Sequence, residues 1–164
     1  MDALTAIATR HSTREFRPDP LPRDIVEKIV DAGRRAATAR NEQPWQFIVV
    51  TEPKTRAAIA ALTDFGSFIA QAPVCIAVFC RDTKYYLEDG CCASQNMLVA
   101  ATALGVQSCW VAGDKKPYAS AVGQLLGVPP DHKLVSLLAL GYEAAPPQRK
   151  PKRPLAEVLH WERF

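Results

Sequence analysis

The chain has 164 residues, of which 48% are apolar and 23% charged, proportions that exclude a disordered or fibrous polypeptide. A single hydrophobic core usually spans about 100–200 residues, so residues 1–164 are expected to form one domain. The net charge of +3, from 20 basic and 17 acidic residues, is too small to point to a polyanionic partner.

The elements follow in order from apolar spacing and turn residues. Residues 2–9 are alanine-rich, with Asp2 placed to cap a short helix and Leu4 and Ile7 on one side of it. Arg10-His11-Ser12-Thr13-Arg14 and a proline-rich loop lead to a helix over residues 22–37, marked by Ile25, Val26, Ile29, Val30 and Gly33. Residues 45–51 are aromatic and β-branched, hence a strand. Pro53 then opens a helix that ends at Leu62. The unbroken apolar run from Val74 to Cys80 shows no alternation, the pattern of a strand covered on both faces. The longest helical pattern, residues 87–104, stops at Gly105. A short strand at 108–111, a helix at 117–126 ended by Gly127 and an apolar strand at 134–140 follow. Residues 143–154 turn to proline, lysine and arginine and should wrap the outside before a helical tail at 155–161. Helices alternating with strands buried on both faces give a three-layer α/β sandwich around a central sheet.

Several kinds of chemistry lack their signatures. There is no G-x-G-x-x-G and no G-x-x-x-x-G-K-[ST], so neither of those phosphate-cradling turns is present. No G-x-S-x-G elbow marks a serine hydrolase. His11, His132 and His160 are far apart, and adjacent Cys91 and Cys92 point about 100° apart on a helix, so no metal site is expected. The odd number of cysteines, Cys75, Cys80 and Cys109 with that pair, all in apolar segments, reads as reduced core thiols of a cytoplasmic protein. The best apolar stretch, 97–111, is broken by Gly105, Gln107 and Ser108, short of the roughly 18 residues a membrane span needs. The N-terminus carries no signal-peptide pattern. Neither a membrane nor a nucleic acid is expected as a partner.

Two basic clusters and one loop remain. In Arg10-x-Ser12-x-Arg14 an extended backbone aims all three side chains the same way. Two guanidinium forks around one hydroxyl suit a doubly charged phosphate monoester. Lys150-x-Lys152-Arg153 repeats that spacing near the C-terminus, and solvated surface charge explains either cluster about as well. The loop from Thr38 to Trp45 lies between a helix end and a strand start, where loops carry function. A capped turn leading to a core tryptophan reads the same way.

The stretches Arg10-His11-Ser12-Thr13-Arg14-Glu15-Phe16, Thr38-x-x-Asn41-x-Gln43-Pro44-Trp45 and Asp89-x-x-x-Ala93-x-Gln95-Asn96-Met97-Leu98 occur in that order. Gly105-Val106-Gln107-Ser108-Cys109-Trp110, Leu140-Gly141-Tyr142 and the basic tail follow. Together, over residues 4–160, they resemble the nitroreductase family of flavoproteins. The resemblance implies an α+β, nitroreductase-like three-layer sandwich, with a central mixed β-sheet flanked by helices, assembled as a homodimer with FMN at the interface. It places Arg10, His11, Ser12 and Arg14 at the FMN phosphate end, with Lys150 and Lys152 (or Arg153, one residue on). Thr38, Asn41 and Gln43 would reach the partner's flavin, and Val111, Ala112 and Gly113 would lie against the ring through their backbone.

The implied activity is that of an NAD(P)H oxidoreductase reducing nitroaromatics, quinones or similar electron-poor acceptors by ping-pong hydride transfer. NADH or NADPH would be the transient donor, and no side chain is assigned a catalytic role. A flavin-binding protein without significant reductase activity is the alternative. Two departures stand out. Ala37-Thr38 replaces the family's common Pro-Ser, which keeps the hydroxyl. About ten residues separate Leu62 from Pro73, where longer members insert covering helices, leaving Asp64, Phe65, Ser67 and Phe68 for that job.

Overall fold

The computed structural model describes residues 1–147 and 150–164. Among them, the elements run α1 (Ala3–Thr9), α2 (Arg23–Arg34), β1 (Trp45–Val50), α3 (Pro53–Leu62), β2 (Val74–Arg81), α4 (Tyr86–Ala103), β3 (Gln107–Ala112), α5 (Ala119–Leu125) and β4 (His132–Gly141). Asp2 caps α1 by accepting the Thr5 N–H at 3.0 Å. Pro53 supplies the first residue of α3, where its missing N–H has no intrahelical role. Gly105 and Gly127, after α4 and α5, adopt φ of 77° and 68°, the left-handed turn that ends a helix and that glycine takes without strain.

The strands form one sheet in the order β1-β2-β4-β3, with every neighbouring pair antiparallel. The parallel component of the expected mixed sheet is limited to an isolated bridge between Ser12 and Ser108. Alternate residues of β2 enter opposite cores. Cys75, Ala77 and Phe79 join Ile59 of α3 and Val122 of α5. Val74, Ile76, Val78 and Cys80 join Ile29 of α2 and Met97 of α4. The result is the expected three layers, helices on both faces of a buried sheet.

The alternation slips once in β4. Val78 pairs with Ser136 and Phe79 with Leu134, leaving Val135 as a bulge residue. Its carbonyl accepts the Gly113 N–H at 3.1 Å. Its side chain presses against α4 at Gly90, where a Cβ would come within 2.6 Å.

Two expectations are corrected. The tail, expected to be helical over 155–161, has only a 3-10 turn at Leu155–Glu157, and residues 150–164 are all exposed. A helix that short needs a surface on which to bury one face, and this chain offers it none. Of the five free cysteines only Cys75, Cys80 and Cys109 are core residues, whereas Cys91 is half-buried and Cys92 exposed. Neighbours on a helix point about 100° apart, and only one side of α4 faces the sheet. Burial pushes the Cys75 and Cys80 thiols up to about 12. Among the described residues no helix is long and apolar enough to cross a membrane.

Candidate functional site

After α1 the chain runs extended past the outer edge of β3. The Thr13 N–H donates to the Ser108 carbonyl at 3.0 Å, the Arg17 N–H to the Tyr142 carbonyl at 2.9 Å, and the Ala144 N–H to the Glu15 carbonyl at 3.0 Å. Glu143 locks this segment: one carboxylate oxygen accepts from Thr13 Oγ1 at 2.9 Å and lies 2.8 Å from His11 Nε2. The other ring nitrogen of His11 lies 3.1 Å from the Thr9 carbonyl. With Thr13 buried, its neighbours Ser12 and Arg14 are exposed, as extended spacing requires.

Ser12, Arg14 and Lys150 line a cavity of 510 Å³, with Glu15 and Glu143 also in its wall. Arg14 lines a second cavity too, of 580 Å³, along β3 at Trp110, Val111 and Ala112. Asp64, Phe65, Ser67 and Phe68 all contribute to that second wall. One arginine therefore stands between a charged compartment and a more apolar one. Its guanidinium carbon lies 5.9 Å from the Phe68 ring centroid, a cation–π contact that holds it at the junction. Burial pushes the Cys109 thiol up, while Arg14, a hydrogen bond with Ser12, and Arg10 draw it back. Arg10 thus contributes positive potential here without lining either cavity. The Tyr118 hydroxyl donates to the Ala112 carbonyl, which fixes the end of β3.

The residues expected at the site divide into three groups. Ser12, Arg14, Val111, Ala112 and Lys150 line the joined cavities. Arg10, His11, Gly113, Lys152 and Arg153 line neither: His11 is turned to Glu143, and the Gly113 N–H faces Val135. Lys150 is therefore the tail cation at the cavity. Thr38, Asn41 and Gln43 form a separate loop that reaches neither cavity of its own chain.

That loop is strained and anchored. Arg40, Asn41 and Gln43 have φ of 54°, 57° and 49°, a left-handed backbone that is uncommon outside glycine. Thr38 Oγ1 accepts the Gln43 N–H at 3.3 Å, and Asp89 Oδ1 accepts the Ala39 N–H at 3.0 Å. Asp89 is buried, and its Oδ2 has no partner among the described residues. Asp89 thus anchors the strained backbone of this loop to α4.

Glu143 and Asp89 are the positioning residues that spacing alone did not expose. Glu143 stands one residue beyond the Leu140-Gly141-Tyr142 stretch, and Asp89 opens the α4 motif.

Fold and geometry define a class: an α+β sandwich with two neighbouring cavities at a sheet edge, one lined by Arg14, Lys150, Glu15 and Glu143 and the other running along β3, that share Arg14. The chain belongs to the nitroreductase family, whose sequence profile matches residues 7–65 and 65–142. An inferred NADH dehydrogenase/NAD(P)H nitroreductase of Methanothermobacter thermautotrophicus is 32% identical over 153 residues, spanning 90% of this chain and 80% of its own. The NADH dehydrogenase of Thermus thermophilus is 26% identical over 197 residues, spanning 98% and 96%. The crystal structure of an inferred NADH dehydrogenase/NAD(P)H nitroreductase from Parabacteroides distasonis matches with a TM-score of 0.93 at 25% identity, over 99% of this chain and 98% of its own. An FMN-dependent nitroreductase from Clostridium difficile shares the fold, with a TM-score of 0.92 at 20% identity over 98% and 99% of the two chains.

Proposed function

We propose that the chain is an FMN-dependent NAD(P)H oxidoreductase that reduces nitroaromatics, quinones or similar electron-poor acceptors, and that it works as a homodimer. The observation that carries this reading is the pair of cavities, 510 and 580 Å³, joined at Arg14. A compartment that presents Arg14, Lys150 and the Ser12 hydroxyl beside a more apolar one along β3 suits a ligand with a phosphate at one end and a planar ring at the other. The donor set fits FMN on a second count. Ser108 Oγ is buried next to the Ser12 bridge and has no hydrogen-bond partner among the described residues, a hydroxyl in reserve beside the polar end.

Arg14 and Lys150, with Ser12, would hold the phosphate by charge-assisted hydrogen bonds, and Arg10 would add to the positive field. Val111 and Ala112 would lie along the ring through their backbone. When bound, FMN supplies the hydride-accepting and hydride-donating chemistry. The chain would orient that group, with Phe68 and Tyr118, both buried, in the wall of the ring compartment.

Two features support a second copy in the working unit. Thr38, Asn41 and Gln43 line neither cavity of their own chain, so any contact they make with flavin would be made across an interface. Leu155 and Trp161 of the tail are 69% and 80% exposed, and an apolar run of that kind marks an interaction surface. The five free thiols agree with a cytoplasmic setting.

The test is spectral and kinetic. Purified protein should show flavin absorbance and should oxidise NADH or NADPH once menadione or a nitroaromatic is added. Flavin loading without donor oxidation would favour the alternative, a flavin-binding protein lacking reductase activity. A colourless protein that takes up no added FMN would overturn both.

A further inference from the structure

A third cavity, of 460 Å³, lies across a single turn from the β3 cavity. Ala112 and Lys116 line the β3 cavity, whereas Asp114 and Lys115 line the third. The turn between them is held firmly. Asp114 Oδ1 accepts from the Tyr86 hydroxyl at 2.6 Å, and the Gly113 N–H is bound to the Val135 carbonyl.

The cavity has an apolar floor at Phe79 and Leu134, polar groups from Ser120 and Gln124 of α5, and cations at Lys115 and Lys133. Its volume falls within the range of about 300–1,000 Å³ common for small-molecule sites. Two local features are unexplained by packing. Gly123 sits inside α5, where glycine weakens a helix relative to alanine. A Cβ there would meet nothing closer than Phe79 Cε1 at 3.7 Å, so no neighbour requires the glycine. What the glycine provides is a gap in the α5 wall of the cavity, above the buried Phe79 and Leu134 at its base. Lys115 has φ of 57°, a left-handed conformation that a lysine rarely adopts. Its 83% exposed side chain carries a cation to this cavity, while the adjacent Lys116 serves the other.

We propose that this third cavity binds the adenosine end of the NAD(P)H donor, with its diphosphate crossing the turn beside Lys115 and its nicotinamide in the β3 cavity. The inference rests on the oxidoreductase reading above. The chain has no G-x-G-x-x-G turn, so a grip on the distal half of a dinucleotide has to come from some other surface. An apolar floor suits a purine, an amide and a hydroxyl suit its edge and ribose, and lysines suit the diphosphate. Lys133 already contacts Asp82 at 2.9 Å, whereas Lys115 lies a looser 3.9 Å from Asp114. Lys115 is therefore the cation more available to a ligand.

The experiment compares two donors with menadione as acceptor: the dinucleotide, and reduced nicotinamide mononucleotide, which lacks the adenosine half. The flavin-loaded wild type should favour the dinucleotide, and the preference should reside in KM. Gly123→Leu, which fills the floor with a better helix former, should lower the dinucleotide-to-mononucleotide ratio of kcat/KM about tenfold, and Lys115→Glu should lower it about threefold or more. A ratio unchanged in both variants overturns the proposal. Oxidation of neither donor would count against the oxidoreductase reading instead, and equilibrium dialysis with ADP-ribose then decides for the cavity. Retention by the wild type that is lost in Gly123→Leu supports it, and absence of retention overturns it.

Discussion

Among the described residues Arg14 is the one side chain that lines both compartments of the site, and its removal should be felt most. A hydrogen bond to a charged group contributes about 1.5–3 kcal/mol, so Arg14→Ala should weaken FMN binding about 10- to 100-fold. Arg10→Ala should cost less than about tenfold, because Arg10 acts only through its field. Fluorescence titration of the flavin-free protein measures both, and equal losses would place Arg10 in direct contact after all. Glu143 acts one step further back. Glu143→Ala leaves the buried Thr13 hydroxyl without its acceptor, a loss of about 1–3 kcal/mol that urea denaturation should detect. Tyr86 gives a residue-scale dependence on pH. Its hydrogen bond to Asp114, then burial, push its hydroxyl from an ordinary 10.0 up to about 12. A raised value favours the protonated form in the folded state, so this contribution is complete below pH 10 and is lost as pH rises from there towards 12. Stability curves of the wild type and Tyr86→Phe should therefore run parallel below pH 10 and converge above it.

Elements built on local pattern were legible, and those held by distant partners were not. The unbroken apolar runs placed β2 and β4, and Gly105 and Gly127 ended the helices before them where expected. The bulge at Val135 was invisible because Leu134, Val135 and the buried Ser136 all lie inside the sandwich, so no exposed polar position marks the slip in alternation. The short helix Ser67–Ala70 was missed for a different reason. It is kept in place by Arg56, buried on α3, whose Nη1 donates to the Ala70 carbonyl at 3.0 Å and to the Ala72 carbonyl. The site divides the same way. Ser12, Arg14 and Lys150 follow from charge and spacing, but the Glu143 clamp joins residues 132 positions apart. The Arg56 contact makes the connector a fixed wall for the ring compartment rather than a loose flap. Arg56→Ala removes two charge-assisted hydrogen bonds and leaves a cavity, so a destabilisation of about 2–5 kcal/mol is expected. A value below about 1 kcal/mol, typical of surface changes, would mean that buried Phe68 and Ile69 suffice to hold the segment.

At the scale of the whole molecule, apolar surface is distributed unevenly. The two cores are closed, yet Leu4 and Ile7 on α1 are 78% and 56% exposed, and the tail displays Leu155, Val158, Leu159, Trp161 and Phe164. A buried tryptophan or phenylalanine typically removes about 150–250 Å² from water, and apolar burial contributes about 25 cal/mol per Å². Two such residues alone give a second copy a sizeable incentive to bind. The same assembly would bring the loop of Thr38, Asn41 and Gln43 to the neighbour's cavity, so flavin retention and dimerisation should be linked. Truncation after Arg153 keeps Lys150 and removes the apolar tail. It should raise the dimer dissociation constant about 100-fold or more, a loss of roughly 2.7 kcal/mol, well below what the buried area could supply. Sedimentation velocity across a dilution series gives the dissociation constant, and flavin fluorescence on the same samples gives cofactor release. Coincident midpoints that move together on truncation are the expected result. A full-length chain that sediments as a monomer while fully loaded with flavin would remove the second copy from the site, and Thr38, Asn41 and Gln43 with it.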